Sequence, residues 1–128
     1  MADHHTKKRI LVVDDKRDIT ITLQVGLEED GGFDVDAFTD PELVLSSFKP
    51  GLYDLVLIDI KMLKIDGFVL YELLKTVDPG VKVCFLTAMY REEITEVKHC
   101  ALNKDLFLQK PISNDDLIRE INKKINST

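Results

Sequence analysis

At 128 residues the chain has the length of one ordinary domain, enough to bury a real core. Apolar residues at 45% and charged residues at 31% exclude a disordered chain. The formal charge of −6, from 23 acidic against 17 basic residues with no basic stripe, argues against direct nucleic-acid binding, and no apolar run is long enough to span a bilayer. Residues 1–8 are polar and read as a loose N-terminus, so His4-His5 is a frayed end rather than a metal site, and the domain proper covers 9–126. Lys7-Lys8-Arg9 stands before apolar residues as in an export signal. The apolar part is short and ends on two aspartates, which fits a strand over Arg9–Val13 and a cytoplasmic chain. Cys84 and Cys100 share no metal-ligand spacing and are expected to be free thiols.

After Asp14-Asp15, residues Ile19, Ile21, Leu23, Val25 and Leu27 alternate with polar ones in a strand-like period of two. Ile19, Leu23, Gly26 and Leu27 also share a helical face that Asp18 could cap, and a parallel sheet needs a crossover at this point, so a helix is expected. Gly31-Gly32 ends it, and Phe33 to Ala37 reads as a second strand. A helix holding Leu43, Leu45 and Phe48 starts with Asp40 as N-cap and Pro41 at the first helical position, or with Thr39 as cap and Glu42 closing a capping box. Pro50-Gly51 stops it.

Leu55-Val56-Leu57-Ile58-Asp59 is the stretch around which the chain is organised: a run apolar at every position, as in a strand buried on both faces, ending on a carboxylate. Asp66 is placed to cap a helix with Val69, Leu70, Leu73 and Leu74 toward the sheet. Asp78-Pro79-Gly80 is a turn, Val81 to Leu86 a strand followed by Thr87, and a helix is predicted over 91–102 with Asn103 at its C′ position. Leu106 to Gln109 is the fifth strand, ended by Lys110-Pro111. Ser113 caps a closing helix with Leu117, Ile118, Ile121 and Ile125 on one side. Five βα units in alternation predict an α/β domain with a doubly wound parallel sheet and helices on both faces.

Polar residues follow four of the apolar strands: Asp14-Asp15, Asp59, Thr87 and Lys110. Parallel strands would bring them to one edge of the sheet, where open α/β sheets place their chemistry. Carboxylates held close repel one another unless a cation intervenes, and an oxygen-only set suits Mg²⁺. A Lys and a Thr facing the same point supply a charge and a hydroxyl for a transferring phosphoryl group, with Asp59 as the nucleophile. Singly, each of these residues has an ordinary explanation as a solvated strand end, a helix cap or a loop start; their joint occurrence is what points to chemistry.

Asp14-Asp15, Asp59 followed by Met62 and Asp66-Gly67, Thr87-Ala88 and Lys110-Pro111 together resemble the receiver domain of two-component response regulators, over nearly the full length. The resemblance implies a flavodoxin-like sheet in strand order 2-1-3-4-5. It implies that Asp59 accepts a phosphoryl group from the phosphohistidine of a sensor kinase or phosphotransfer protein. Asp14, Asp15, Asp59 and the carbonyl of Lys61 would hold Mg²⁺, and Lys110 would pair with the phosphoryl oxygens before a cis bond to Pro111. Thr87 would swing toward the phosphate while Phe107 turns inward. The fourth and fifth predicted helices, with the fifth strand between them, would carry the altered surface to a downstream protein or to a second copy.

Leu63 stands where a Pro is usual, Asn103-Lys104 where Gly-Ala is common, and Lys61 and Met89 at places that influence phosphoryl lifetime. These departures put lifetime and partner in question more than competence. The competing functions are a degenerate, phosphate-independent interaction module and a phosphatase with an aspartyl nucleophile. The latter usually needs Asp-x-Asp after the first strand, and position 16 is Lys. Neither main reading makes the chain an enzyme acting on an external substrate. Only Ser127-Thr128 follow the last helix, which fits a single-domain regulator and a piece of a longer one alike.

Overall fold

The apolar runs become strands, and they pair in parallel. The computed structural model of the chain describes residues 7–88 and 107–127. In it β1 (Arg9–Val13), β2 (Asp34–Phe38), β3 (Leu55–Asp59), β4 (Val83–Thr87) and β5 (Phe107–Gln109) form one sheet in the order β2-β1-β3-β4-β5. Val12 lies opposite Ala37 and Leu57, Ile58 opposite Phe85, and Leu86 opposite Leu108, all in parallel ladders. Parallel neighbours require crossovers. The described ones are α1 (Arg17–Glu29), α2 (Pro41–Ser47) and α3 (Gly67–Val77), with the closing helix α4 (Asn114–Asn126) after β5. The helix expected over 91–102, with Met89, Cys100, Asn103-Lys104 and Leu106, lies outside the described residues.

Side chains alternate across the sheet, so each strand feeds two cores. Leu11, Val13, Val56, Ile58, Val83 and Phe85 pack under Val44 and Phe48 and under Phe68, Leu70 and Leu74 of α3. Ile10, Val12, Leu55, Leu57, Cys84, Leu86 and Leu108 pack under Leu27 of α1 and Leu117 and Ile121 of α4. Each of these aliphatic side chains contributes about 1.5–3 kcal/mol by leaving water, which fixes the register of the strands. Cys84 is a free thiol in the second core, and burial pushes it up to about 12, so it is inert packing material.

Several local expectations shift. The segment after β1 is the helix expected there, with Leu27 and Thr20 buried and Ile21 and Val25 exposed, and its period-two pattern does not mark a strand. Its N-cap is Lys16, which makes no side-chain capping bond, and not Asp18; Asp18 sits in the first turn, where its charge suits the helix dipole. Helix α2 has the Asp40 cap, whose carboxylate accepts from the Glu42 N–H at 3.0 Å, in place of the rival capping box; Phe48 is its C-cap, and Leu43 faces solvent while Val44 enters the core. In α3 the Asp66 cap holds, accepting from the Val69 N–H at 2.9 Å. Val69 and Leu73 do not face the sheet. The helix starts at Gly67, and the i, i+3, i+4, i+7 stripe from there takes in Leu70, Tyr71 and Leu74.

Strand β2 begins at Asp34 and not Phe33, because the Phe33 N–H is used by the Leu27 carbonyl at 3.2 Å to close α1. Strand β4 begins at Val83 and not Val81, whose N–H bonds the Asp78 carbonyl at 3.0 Å within the turn, and it extends to Thr87. Ser113 caps α4 through the Asp116 N–H at 3.1 Å. No described helix is long and apolar enough to cross a membrane.

Candidate functional site

All strands run one way, so β1, β3, β4 and β5 deliver the residues after them to one edge of the sheet. Strand β3 is buried along its whole length, and Asp59, its last residue, is only 8% exposed. Asp14, one residue beyond the end of β1, is 2% exposed, and Asp15 is half-buried beside it. Carboxylate oxygens of Asp14, Asp15 and Asp59 all lie within 4.8 Å of one another. Burial, and then the charge of Asp14, push the Asp59 carboxyl above its usual range, while Lys110 and Lys16 pull it back.

Two lysines answer this charge. Lys110 Nζ lies 3.6 Å from Asp14 Oδ2. Its placement comes from β4: the Lys110 N–H donates to the Thr87 carbonyl at 2.7 Å, and the peptide bond to Pro111 is cis. Lys16 Nζ lies 3.3 Å from Asp15 Oδ1 and 3.9 Å from Asp59 Oδ2. Thr87, 1% exposed, ends β4 directly opposite Gln109 of β5.

The site thus brings together Asp14, Asp15, Asp59 and Lys110, with Thr87 at the next strand end. Lys61 is exposed in the loop after β3. Phe107 stands apart from the carboxylates, packed in the core with its ring 5.2 Å from Phe85 and 6.0 Å from Phe68.

Sequence reasoning missed three contributors. Lys16 was read only as a departure from a phosphatase pattern; a basic residue directly after an acidic pair was the available signal. The Leu63 N–H donates to Asp15 Oδ2 at 2.9 Å, a bond open to it because position 63 is not Pro. Lys64 Nζ reaches Asp40 at 3.3 Å and Glu42 at 3.4 Å, tying the same loop to α2. The loop after Asp59, with Leu63 where a Pro is usual, is thereby pinned at both of these residues.

The donor set fits a small hard cation. It is oxygen-only, it is buried enough to hold charge that lacks water, and its members repel one another without a positive neighbour.

The sequence matches the family described as response regulator receiver domain over residues 10–122. It is 33% identical over 113 residues to the transcriptional regulatory protein DltR of Streptococcus agalactiae, an alignment covering 88% of this chain and 50% of that protein. The chain therefore spans about half the length of such curated relatives. Among solved structures, a CheY-like response regulator receiver domain protein from Methanospirillum hungatei superposes with a TM-score of 0.80 at 27% identity, over 94% of this chain and 95% of that one. The response regulator TrrA from Thermotoga maritima, solved in complex with Mg²⁺ and BeF, gives a TM-score of 0.75 at 32% identity, over 91% and 97%. The family match, the parallel sheet in the order 2-1-3-4-5 and the acidic edge agree: this chain belongs to the response regulator receiver domain family of two-component systems.

Proposed function

We propose that the chain is a phosphoacceptor switch in which Asp59 receives a phosphoryl group from the phosphohistidine of a sensor kinase or phosphotransfer protein. The observation that carries this reading is the meeting of Asp59 with Asp14, Asp15 and Lys110 at the carboxyl edge. A carboxylate oxygen of Asp59 attacks phosphorus, the phosphorus–nitrogen bond breaks with its electron pair going to the imidazole, and an acyl phosphate forms. Asp14, Asp15, Asp59 and the Lys61 carbonyl would hold Mg²⁺, which supplies positive charge to the phosphoryl oxygens. The Lys110 ammonium, set by the Thr87–Lys110 backbone bond, offers a second charge, and the Thr87 hydroxyl a donor. Thr87 and Phe107 then act as the switch, changing the surface around β5 and α4 for a downstream protein or a second copy. Mg²⁺ and phosphorylation are general features of the family. Among the described residues, Asp14, Asp15 and Asp59 are the only such group of acidic side chains.

Intact mass after incubation with acetyl phosphate tests the reading, with Mg²⁺ or with chelator, for wild type and Asp59→Ala. A gain of one phosphoryl group that requires both Mg²⁺ and Asp59 is expected. No gain in any arm, with beryllofluoride also failing to bind the folded protein, would overturn it in favour of a phosphate-independent module.

A further inference from the structure

The carboxylates at the edge already have cations of the protein's own. Lys110 faces Asp14 from β5 and is 28% exposed; Lys16 faces Asp15 and Asp59 and is 59% exposed. The backbone of Lys16 is fixed on both sides: its N–H donates to Asp14 Oδ1 at 2.9 Å, and its carbonyl accepts from the Ile19 and Thr20 N–H groups at 3.1 Å each. Its ammonium is therefore a mobile charge on a fixed root, confined near the acidic edge at high effective concentration. A lysine ammonium carries its charge across the physiological range, so the edge always faces this cation.

We propose that Lys16 is a tethered cation that competes with Mg²⁺ for Asp15 and Asp59 and so sets the Mg²⁺ concentration at which the site fills. The inference rests on the reading of the acidic edge as a Mg²⁺ site. Mg²⁺ demands oxygens at about 2.0–2.1 Å, and an ammonium already on the same carboxylates opposes it by charge repulsion and by taking up their lone pairs. Loading requires the Lys16 tip to swing into water, and its exposure makes that displacement inexpensive. Competition then appears as a shift in affinity and not as a block. Two pairs whose ammonium is exposed although their carboxylates are mostly buried, with the residual repulsion of a nearby positive charge, correspond to about a three- to tenfold shift. The effect is electrostatic and shrinks as added salt screens it.

Mg²⁺ titrations of wild type, Lys16→Gln and Lys16→Arg, followed by backbone amide shifts, read this competition without any phosphorylation. Lys16→Gln is expected to tighten Mg²⁺ binding by about three- to tenfold, with the gap narrowing at high salt, and Lys16→Arg, which keeps the charge, is not. Tightening of less than about threefold by Lys16→Gln, or an equal tightening by Lys16→Arg, overturns the inference and leaves the phosphoacceptor reading standing. If neither wild type nor either variant binds Mg²⁺, the acidic edge is not a metal site, and both readings fall.

Discussion

A nucleophilic carboxylate works in its charged form, and Asp59 is charged against its surroundings. Burial is the larger cause and Asp14 the second, with Lys110 and Lys16 offsetting them in part. The folded chain therefore keeps this proton to higher pH than the unfolded chain, whose carboxyl sits near 3.8. As pH rises through the window between those two values, the native state loses protons that the unfolded state has already shed, and stability falls. Asp59→Asn has the shape without the charge. Without Mg²⁺ its stability advantage should grow from about pH 4 to pH 7, reaching about 1 kcal/mol, or about 3–5 °C in Tm. Thermal melts in chelator at several pH values check this, and added Mg²⁺ should shrink the gap because it binds only the wild-type carboxylate set well. A variant less stable than wild type at neutral pH would show that the two lysines more than compensate for burial.

At the scale of elements, the end of β3 and the start of α3 approach so closely that Gly67 is obligatory. A Cβ there would lie 2.5 Å from the Asp59 carbonyl oxygen and 2.9 Å from the Ile60 Cα, both backbone atoms that cannot rotate away. The Gly67 N–H also donates to the Ile60 carbonyl at 2.7 Å. Gly67→Ala should therefore cost about 1–3 kcal/mol in denaturant unfolding and displace the β3–α3 loop that positions Asp59, lowering phosphoryl uptake in the mass assay. A second close approach ties α4 to α1: a Cβ on Gly26 would meet Asn114 Oδ1 at 2.7 Å, and Asn114 Nδ2 donates to Asp30 Oδ2 at 2.6 Å. Here the obstacle is a side chain, so Gly26→Ala should cost less, under about 1 kcal/mol by the same measurement, with Asn114 swinging aside.

These contacts also mark where sequence reading stopped. The central strand and three of the caps were legible because they depend on neighbours in the chain: Leu55–Asp59 by its unbroken apolar run, and Asp40, Asp66 and Ser113 by their place before a helix. Asp14, Asp59 and Lys110 could be gathered because parallel strands put successive strand ends on one edge. Lys16 and the Leu63 N–H were not legible, since both reach the carboxylates through turns whose path the pattern does not encode. The α1 face through Leu23 and Leu27 was legible, whereas the inward stripe of α3 was drawn too wide because Val69 and Leu73 are as apolar as the buried Leu70 and Leu74 beside them. Apolar character shows that a helix packs; only the packed structure shows which of several such residues is inside.

At the scale of the whole molecule, one column of rings joins β4, β5 and α3. Phe85 in β4 stacks on Phe107 in β5 at 5.2 Å and meets Phe68 at 5.2 Å and Tyr71 at 5.5 Å from α3. Thr87 is two residues beyond Phe85 and so projects from the same face of the sheet, nearer its carboxyl edge. In the proposed switch, a displacement of the Thr87 side chain would reach the Phe85–Phe107 stack, and Phe107 is the member closest to α4 in the chain. Phe107→Ala would leave a void between Phe68 and Phe85. As the ring is only partly buried, the cost should be about 2–3 kcal/mol, below that of a fully enclosed Phe. The chemical groups at the edge are untouched, so Asp59 should still gain a phosphoryl group in the mass assay. The amide shifts that beryllofluoride induces in α4 beyond Ser113 should instead weaken, because the column that relays the change has lost a member. Phe107→Leu separates the two effects: it refills most of the volume and recovers most of the stability, yet lacks the flat ring that stacks on Phe85. If Phe107→Ala gives the same α4 shifts as wild type, the relay runs through other contacts, and the aromatic column is packing alone.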